Sequence, residues 1–221
     1  EASNYEYRAD LYALLEENSK AFLDYSKCIE LYPNNAYYLN NRGDFHKDIS
    51  EYDLALADYT SALSIPDASA YGKCRAINNR ALVYKTTGDI ELAIKEYSII
   101  IDDYPEEVLS KNYRNRGSSY ESLEQYDLAL LDYNQAVELD PGEASNYEYR
   151  ADLYALLEEN SKAFLDYSKC IELYPNWTPY LTAKAEFHTS ILEYDLALAD
   201  YTSALELTEV DVSSVLTSRA I

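Results

Sequence analysis

The sequence predicts an all-α solenoid of antiparallel helix pairs, on three observations. The first is a long internal repeat: residues 1–34 recur unchanged at 143–176, and 51–63 recur at 193–205, both displaced by 142. The second is a shorter period inside it, since Ala9, Gly43, Ala81, Gly117, Ala151 and Ala185 are separated by 34, 38, 36, 34 and 34 residues. The third is a pair of apolar stripes at helical spacing within each short period. A period of this length marks repeats that cannot bury their apolar faces alone and must stack on their neighbours.

Taken in order, the first repeat sets the pattern. Tyr5, Ala9 and Tyr12 lie four and three residues apart, a break follows around Glu17 to Ser19, and Ala21, Tyr25, Cys28 and Ile29 form a second stripe. Pro33 ends the second helix. The chain then reads as one solenoid over 1–221, with repeats at about 2–35, 36–73, 74–109, 110–143, 144–177 and 178–211 and a partial helix at 212–221. The stretch from Ile65 to Ala76 is four residues longer than the minimal connection and predicts an altered junction between the second and third repeats.

Small residues recur where helices must approach. They are the Ala and Gly column of the first helices and Ala21, Ala55, Ala93, Ala129, Ala163 and Ala197 of the second. A charged pattern accompanies them. Arg8, Arg42, Arg80, Arg116, Arg150 and Lys184 face a second-helix column of Asp24, Asp58, Glu96, Asp132, Asp166 and Asp200, which predicts an ion pair within each hairpin.

Composition limits the chemistry. With 18 Lys and Arg against 40 Asp and Glu, the formal net charge is −22, which disfavours general nucleic-acid binding and approach to anionic lipid. No apolar run approaches the length of a membrane-spanning helix, and residues 1–30 lack a signal-peptide pattern, so a cytoplasmic chain without membrane insertion is expected. Glu1 in place of Met, and a helical pattern running to the end, lead us to expect a piece of a longer protein.

Catalytic and metal motifs are not found. Cys28, Cys74 and Cys170 are too widely spaced for a disulfide framework or a zinc site and read as structural thiols. His46 and His188 take the first-helix place that Tyr12 fills in the first repeat, so packing is their expected role. Phosphate-binding loops and nucleophile elbows do not occur. A non-enzymatic chain without cofactor is the reading.

The residues also carry a family resemblance. Tyr113, Gly117, Tyr120, Ala129, Tyr133, Ala136 and Pro141 follow the series of a tetratricopeptide repeat, and the match recurs over about residues 3–207, with Arg219, Ala220 and Ile221 like the start of a seventh repeat. The chain resembles that family, which implies a right-handed superhelix of six repeats plus an incomplete seventh, and a concave face that binds a peptide or protein segment. The second repeat departs from the series with Asp67 where its Pro would fall, and the sixth has no Pro near Thr208 or Glu209.

By the same resemblance the inner groove is lined near Asn40, Asn41, Asp44 and Lys47, then Arg75, Asn78, Asn79 and Lys85, then Lys111, Arg114 and Ser118. Glu6, Asp10, Glu148, Asp152 and Glu186 hold the flanking places. A basic and amide-rich central arc between acidic ends is the expectation, fitted to a partner with an acidic stretch or carboxylate. Asn41 and Arg75 match two places of the carboxylate clamp of chaperone-binding members, but Glu6, Asp10 and Asn79 depart from it. Head-to-tail self-association through the solenoid ends is the alternative function.

Overall fold

The computed structural model describes residues 2–218, and side chains as far as Leu207. Twelve α-helices account for almost all of them, as the two-stripe reading requires. The chain divides into two compact units, Glu1–Leu123 and Glu124–Ile221, where the sequence predicts one continuous solenoid; the division falls inside the fourth repeat.

In the first unit α1 (Ala2–Leu14) pairs with α2 (Asn18–Leu31), α3 (Ala36–Asp48) with α4 (Tyr52–Leu63), and α5 (Ala70–Thr87) with α6 (Ile90–Asp103). A short 3-10 turn at Pro105–Glu107 leads to α7 (Ser110–Ser122), which packs on α6. In the second unit α8 (Tyr126–Leu139) packs on α9 (Ala144–Leu156), which pairs with α10 (Asn160–Leu173), and α11 (Thr178–Ser190) pairs with α12 (Tyr194–Ser218).

The core is built as the small-residue columns predict. Ala9, Ala21, Ala81, Ala93, Ala151 and Ala163 are fully buried, and each close approach is covered by an aromatic: Tyr25, Tyr97 or Tyr167. Each hairpin turn carries a residue in the left-handed region, namely Glu16, Ser50, Gly88, Glu124, Glu158 and Leu192. In the first repeat Glu16 N–H donates to Ala13 O and Glu17 N–H to Tyr12 O, the paired bonds that satisfy the last carbonyls of the helix, and the same pair recurs at Ser50 and Glu51.

Five of the predicted hairpin ion pairs are present within the compact units: Arg8–Asp24 at 2.6 Å, Arg42–Asp58 at 2.6 Å, Arg80–Glu96 at 2.8 Å, Arg150–Asp166 at 2.7 Å and Lys184–Asp200 at 3.4 Å. Arg8, Arg42 and Arg150 use two nitrogens on both carboxylate oxygens, the planar fork that a lysine cannot supply.

Two expectations about boundaries are corrected. The four extra residues between the second and third repeats become an added helical turn: α5 has 18 residues against 13 in α3, and its N-cap Ser69 accepts the Gly72 N–H. At the other end α12 runs without interruption to Ser218, so no separate helix begins at 212. Residues 206–218 contain neither Pro nor Gly, and nothing there terminates a helix. Arg219, Ala220 and Ile221 lie outside the described residues.

Candidate functional site

The first-helix face of the first unit holds two adjoining hollows that share Asp44 and Arg75. The larger, about 1020 Å³, is lined by the carboxylates Glu6, Asp10, Glu16, Asp44 and Asp48, with Tyr25, Tyr37 and Phe45 supplying apolar wall and Asn41 an amide. The smaller, about 390 Å³, lies where α3, α5 and the start of α7 converge and contains Lys47, Arg75, Asn78, Asn79 and Lys111 beside Asp44, Glu106 and Glu107.

Asp44 is the centre of the arrangement. Its Oδ1 accepts from Tyr59 Oη at 2.7 Å and from Asn79 Nδ2 at 2.6 Å, and its Oδ2 accepts from Arg75 Nη2 at 2.6 Å. The Arg75 guanidinium also stands 5.7 Å from the centre of the Tyr37 ring. One turn of the repeat earlier, Glu6 plays a similar part, with Oε1 accepting from Tyr37 Oη at 2.5 Å and from Asn41 Nδ2 at 2.7 Å. Apart from Tyr59, which belongs to the second helix α4, the donors come from the first helix that follows the one bearing the acceptor.

These bonds change the predicted arc. Asn41, Arg75 and Asn79 are present on the face but already engaged with carboxylates of the same chain. Asn78 Nδ2 donates to Asn79 Oδ1 at 3.2 Å, and Lys47 lies 3.4 Å from Asp48. Lys111 is exposed at the rim of the smaller hollow. The central region is therefore charge-balanced, with three cations and three carboxylates around the smaller hollow, instead of a basic island.

Three predicted contacts do not line either hollow. Asn40 is buried, because its amide nitrogen donates to Gly72 O at 3.1 Å and ties α3 to the first turn of α5. Lys85 is half-buried with Nζ on Ser118 Oγ at 2.7 Å, and burial lowers its pKa. Arg114 is half-buried. Asp44 and Glu6 are the residues that spacing undervalues; their partners lie 31 to 35 positions away, one repeat along the chain.

The histidines sit outside both hollows. His46 Nδ1 is 2.7 Å from Glu51 Oε2 and His188 Nδ1 is 2.8 Å from Asp200 Oδ2, each buried beside a phenylalanine. All three cysteines are buried and unbridged, and burial pushes the Cys74 thiol up to about 11 and the Cys170 thiol to about 12. Among the described residues no group of three His, Cys, Asp or Glu could hold a metal ion, and no helix is long and apolar enough to cross a membrane.

Comparisons with known proteins agree with this architecture. Tetratricopeptide repeat models match residues 110–143 and 75–98. The small glutamine-rich tetratricopeptide repeat-containing protein 2 of Saccharomyces cerevisiae is 26% identical over 124 residues, 55% of this chain but only 35% of that relative. Among solved structures, pilF of Pseudomonas aeruginosa superposes with a TM-score of 0.70 at 19% identity, covering 96% of this chain and 97% of that one. MamA of Desulfovibrio magneticus RS-1 gives 0.65 at 16% identity over 79% and 96% of the two chains. YrrB, described as a TPR protein with an unusual peptide-binding site, gives 0.59 at 19% identity over 89% and 98%. Repeat motif, helix pairing and these likenesses converge on the tetratricopeptide repeat, which family models match at residues 75–98 and 110–143 and whose fold this chain shares with YrrB.

Proposed function

We propose that the chain is a protein-interaction scaffold that holds an extended protein segment against the first-helix face of its first compact unit. The observation that carries this reading is the pair of adjoining hollows, one lined by five carboxylates and the other charge-balanced, joined at the Asp44–Arg75 ion pair. The cations and amides of the face gather in the smaller hollow, beside three carboxylates. There Lys111, Lys47 and the amides of Asn78 and Asn79 would take an acidic side chain or carboxylate of the partner. The larger hollow, with its five carboxylates and its tyrosines, would take a basic residue with an apolar stem. The favoured partner thus carries acid and base close together along one segment. The likeness to YrrB and its peptide-binding site supports this reading.

The test compares three fluorescein-labelled peptides by anisotropy: Glu-rich, Lys-rich, and one carrying a Glu cluster next to a Lys cluster. The mixed peptide should bind most tightly. The Lys47→Ala, Lys111→Ala double variant should weaken it by about tenfold, in a salt-sensitive manner, because these are exposed charge contacts. Equal binding of all three peptides, or unchanged affinity in a double variant with a normal thermal melt, would reject the assignment.

A further inference from the structure

Tyrosines of the second helices hand their hydroxyls to a fixed place on the first. Tyr25 Oη donates to Asp10 Oδ1 at 2.5 Å, Tyr59 to Asp44 at 2.7 Å and Tyr167 to Asp152 at 2.5 Å, each acceptor 15 residues earlier in the chain. Tyr97 stands in the same column and is fully buried, but the residue 15 before it is Leu82. That place is polar in the other five repeats, as Asp10, Asp44, Ser118, Asp152 and Glu186. A leucine accepts no proton, and among the described residues the Tyr97 hydroxyl has no hydrogen-bond partner. A buried hydroxyl without an acceptor is costly, so its presence here asks for a physical account.

The donors around that place are nonetheless kept. One repeat earlier, the Asp44 carboxylate also takes Asn79 Nδ2 and Arg75 Nη2 from the following first helix. The column of Asn79 holds Asn115 in α7, and that of Arg75 holds Lys111 at the rim of the smaller hollow. Asn115 stands beside the Tyr97 hydroxyl: burial raises the pKa of Tyr97, and the Asn115 amide opposes that shift as a donor does. Lys85 follows Leu82 by three residues and so lies on the same side of α5. It is half-buried, its Nζ donates to Ser118 Oγ at 2.7 Å, and Glu121 acts on it by charge without closing an ion pair. A phenol, an amide and an ammonium therefore flank a place that lacks the carboxylate its counterparts hold.

We propose that this place is a subsite for an acidic side chain of the bound segment, whose carboxylate sits over Leu82 and accepts from Tyr97 Oη, Asn115 Nδ2 and Lys85 Nζ. The partner thereby supplies what Asp44 supplies to Tyr59, Asn79 and Arg75 from within the chain. Lys85 and Asn115 are half-exposed and meet the carboxylate first, whereas the Tyr97 hydroxyl lies beneath the surface and is reached with the Leu82 side chain turned aside. All four residues belong to the first compact unit, and none lines either hollow. The subsite rests on the peptide-binding reading above and adds a contact one repeat beyond Asp44.

The test uses the mixed Glu and Lys peptide, amidated at its C-terminus so that only side chains supply carboxylates, and a twin with Gln in place of Glu. Tyr97→Phe removes a hydroxyl that is unpaired in the free chain, so the urea midpoint should not fall. Affinity for the Glu-bearing peptide should nevertheless drop about tenfold, the scale of one hydrogen bond to a carboxylate. A tyrosine kept for packing alone would move neither reading. Leu82→Asp supplies the acceptor from within the chain and should weaken binding by about tenfold or more. In that background Tyr97→Phe should lower the midpoint, because there the hydroxyl has an acceptor to lose. Leu92→Asp places the same charge at an exposed position of α6 and should leave affinity within about twofold at physiological salt. Wild-type affinity in a folded Tyr97→Phe or Leu82→Asp chain, or equal binding of the Gln twin, overturns the subsite. Lys47→Ala reports on the smaller hollow alone. Loss of affinity there, with full affinity in Tyr97→Phe and Leu82→Asp, overturns the subsite and keeps the peptide-binding reading; a wild type that binds neither peptide overturns both.

Discussion

Gly43 lies so close beneath the ring of Tyr59 that a Cβ placed on it would stand 2.6 Å from Tyr59 Cε1. The ring is fully buried and its hydroxyl is held by Asp44, so it has two reasons to stay where it is. Helix propensity alone favours Ala over Gly by about 1 kcal/mol. Overpacking a tight contact costs about 1–3 kcal/mol. Gly43→Ala should therefore lower stability, by a net of about 1 kcal/mol, read as the shift in urea midpoint. Ala9→Gly in the first hairpin removes a favourable residue without relieving a clash, and it should also destabilise. A more stable G43A would show that Tyr59 shifts freely.

The six hairpin turns predict an opposite use of glycine. Leu192 has φ 65° and Gly88 has φ 90°, and the two occupy equivalent places. A side chain in the left-handed region costs about 1–2 kcal/mol, and a leucine has no polar group to compensate by a local hydrogen bond. The Leu192 side chain is mostly exposed, so removing it sacrifices little packing. Leu192→Gly should raise the denaturation midpoint, with a gain of about 1 kcal/mol. An unchanged or lower midpoint would mean that the exposed leucine makes contacts that offset its backbone strain.

Those turns mark a boundary of what the chain spells out locally. The spacing of Tyr5, Ala9 and Tyr12 is enough to place the helices, since side chains four and three residues apart line up on one face only when the backbone turns every 3.6 residues. The Arg8–Asp24 type of pair is equally readable, because donor and acceptor sit 16 residues apart in every hairpin. The left-handed residue is hidden: glycine stands there only at 88, and the polar run from Glu17 to Ser19 that suggests the break begins one residue after Glu16.

The face of the first helices is half legible for a related reason. Arg75, Asn79 and Asn41 are recognisable as donors from their columns. Their acceptors, Asp44 and Glu6, belong to the preceding repeat, and the pairing depends on how far one first helix is displaced along the next. Column positions carry the identity of a side chain but not that displacement. Asn40 misleads for the same cause: the added turn of α5 brings Gly72 O over it and buries it. The division into two compact units has no composition shift or linker to announce it, because residues 123–125 read as an ordinary hairpin turn.

The buried tyrosines make a prediction about alkaline pH. Burial is the main cause that raises the pKa of Tyr25, Tyr59, Tyr97, Tyr167 and Tyr180, the last to about 12, and the hydrogen bonds of Tyr25, Tyr59 and Tyr167 to Asp10, Asp44 and Asp152 add to it. An unfolded tyrosine ionises near pH 10. Below that value both states keep the proton and these groups contribute no pH dependence. Above it the unfolded chain loses protons that the folded chain retains, so stability falls as pH rises toward the folded values. Thermal midpoints should therefore stay level from about pH 8 to about pH 9.5 and then decline, with tyrosinate absorbance appearing in step with unfolding for the buried set. Tyr167→Phe separates this effect from the titration of lysines. It removes a hydroxyl that donates to Asp152 Oδ1 at 2.5 Å. At neutral pH it should cost about 1.5–3 kcal/mol, the scale of a hydrogen bond to a carboxylate. Above about pH 10 its loss of stability should be shallower than that of the wild type, because one raised group is gone. A variant whose decline runs parallel to the wild type would show that Tyr167 takes no part in the alkaline transition.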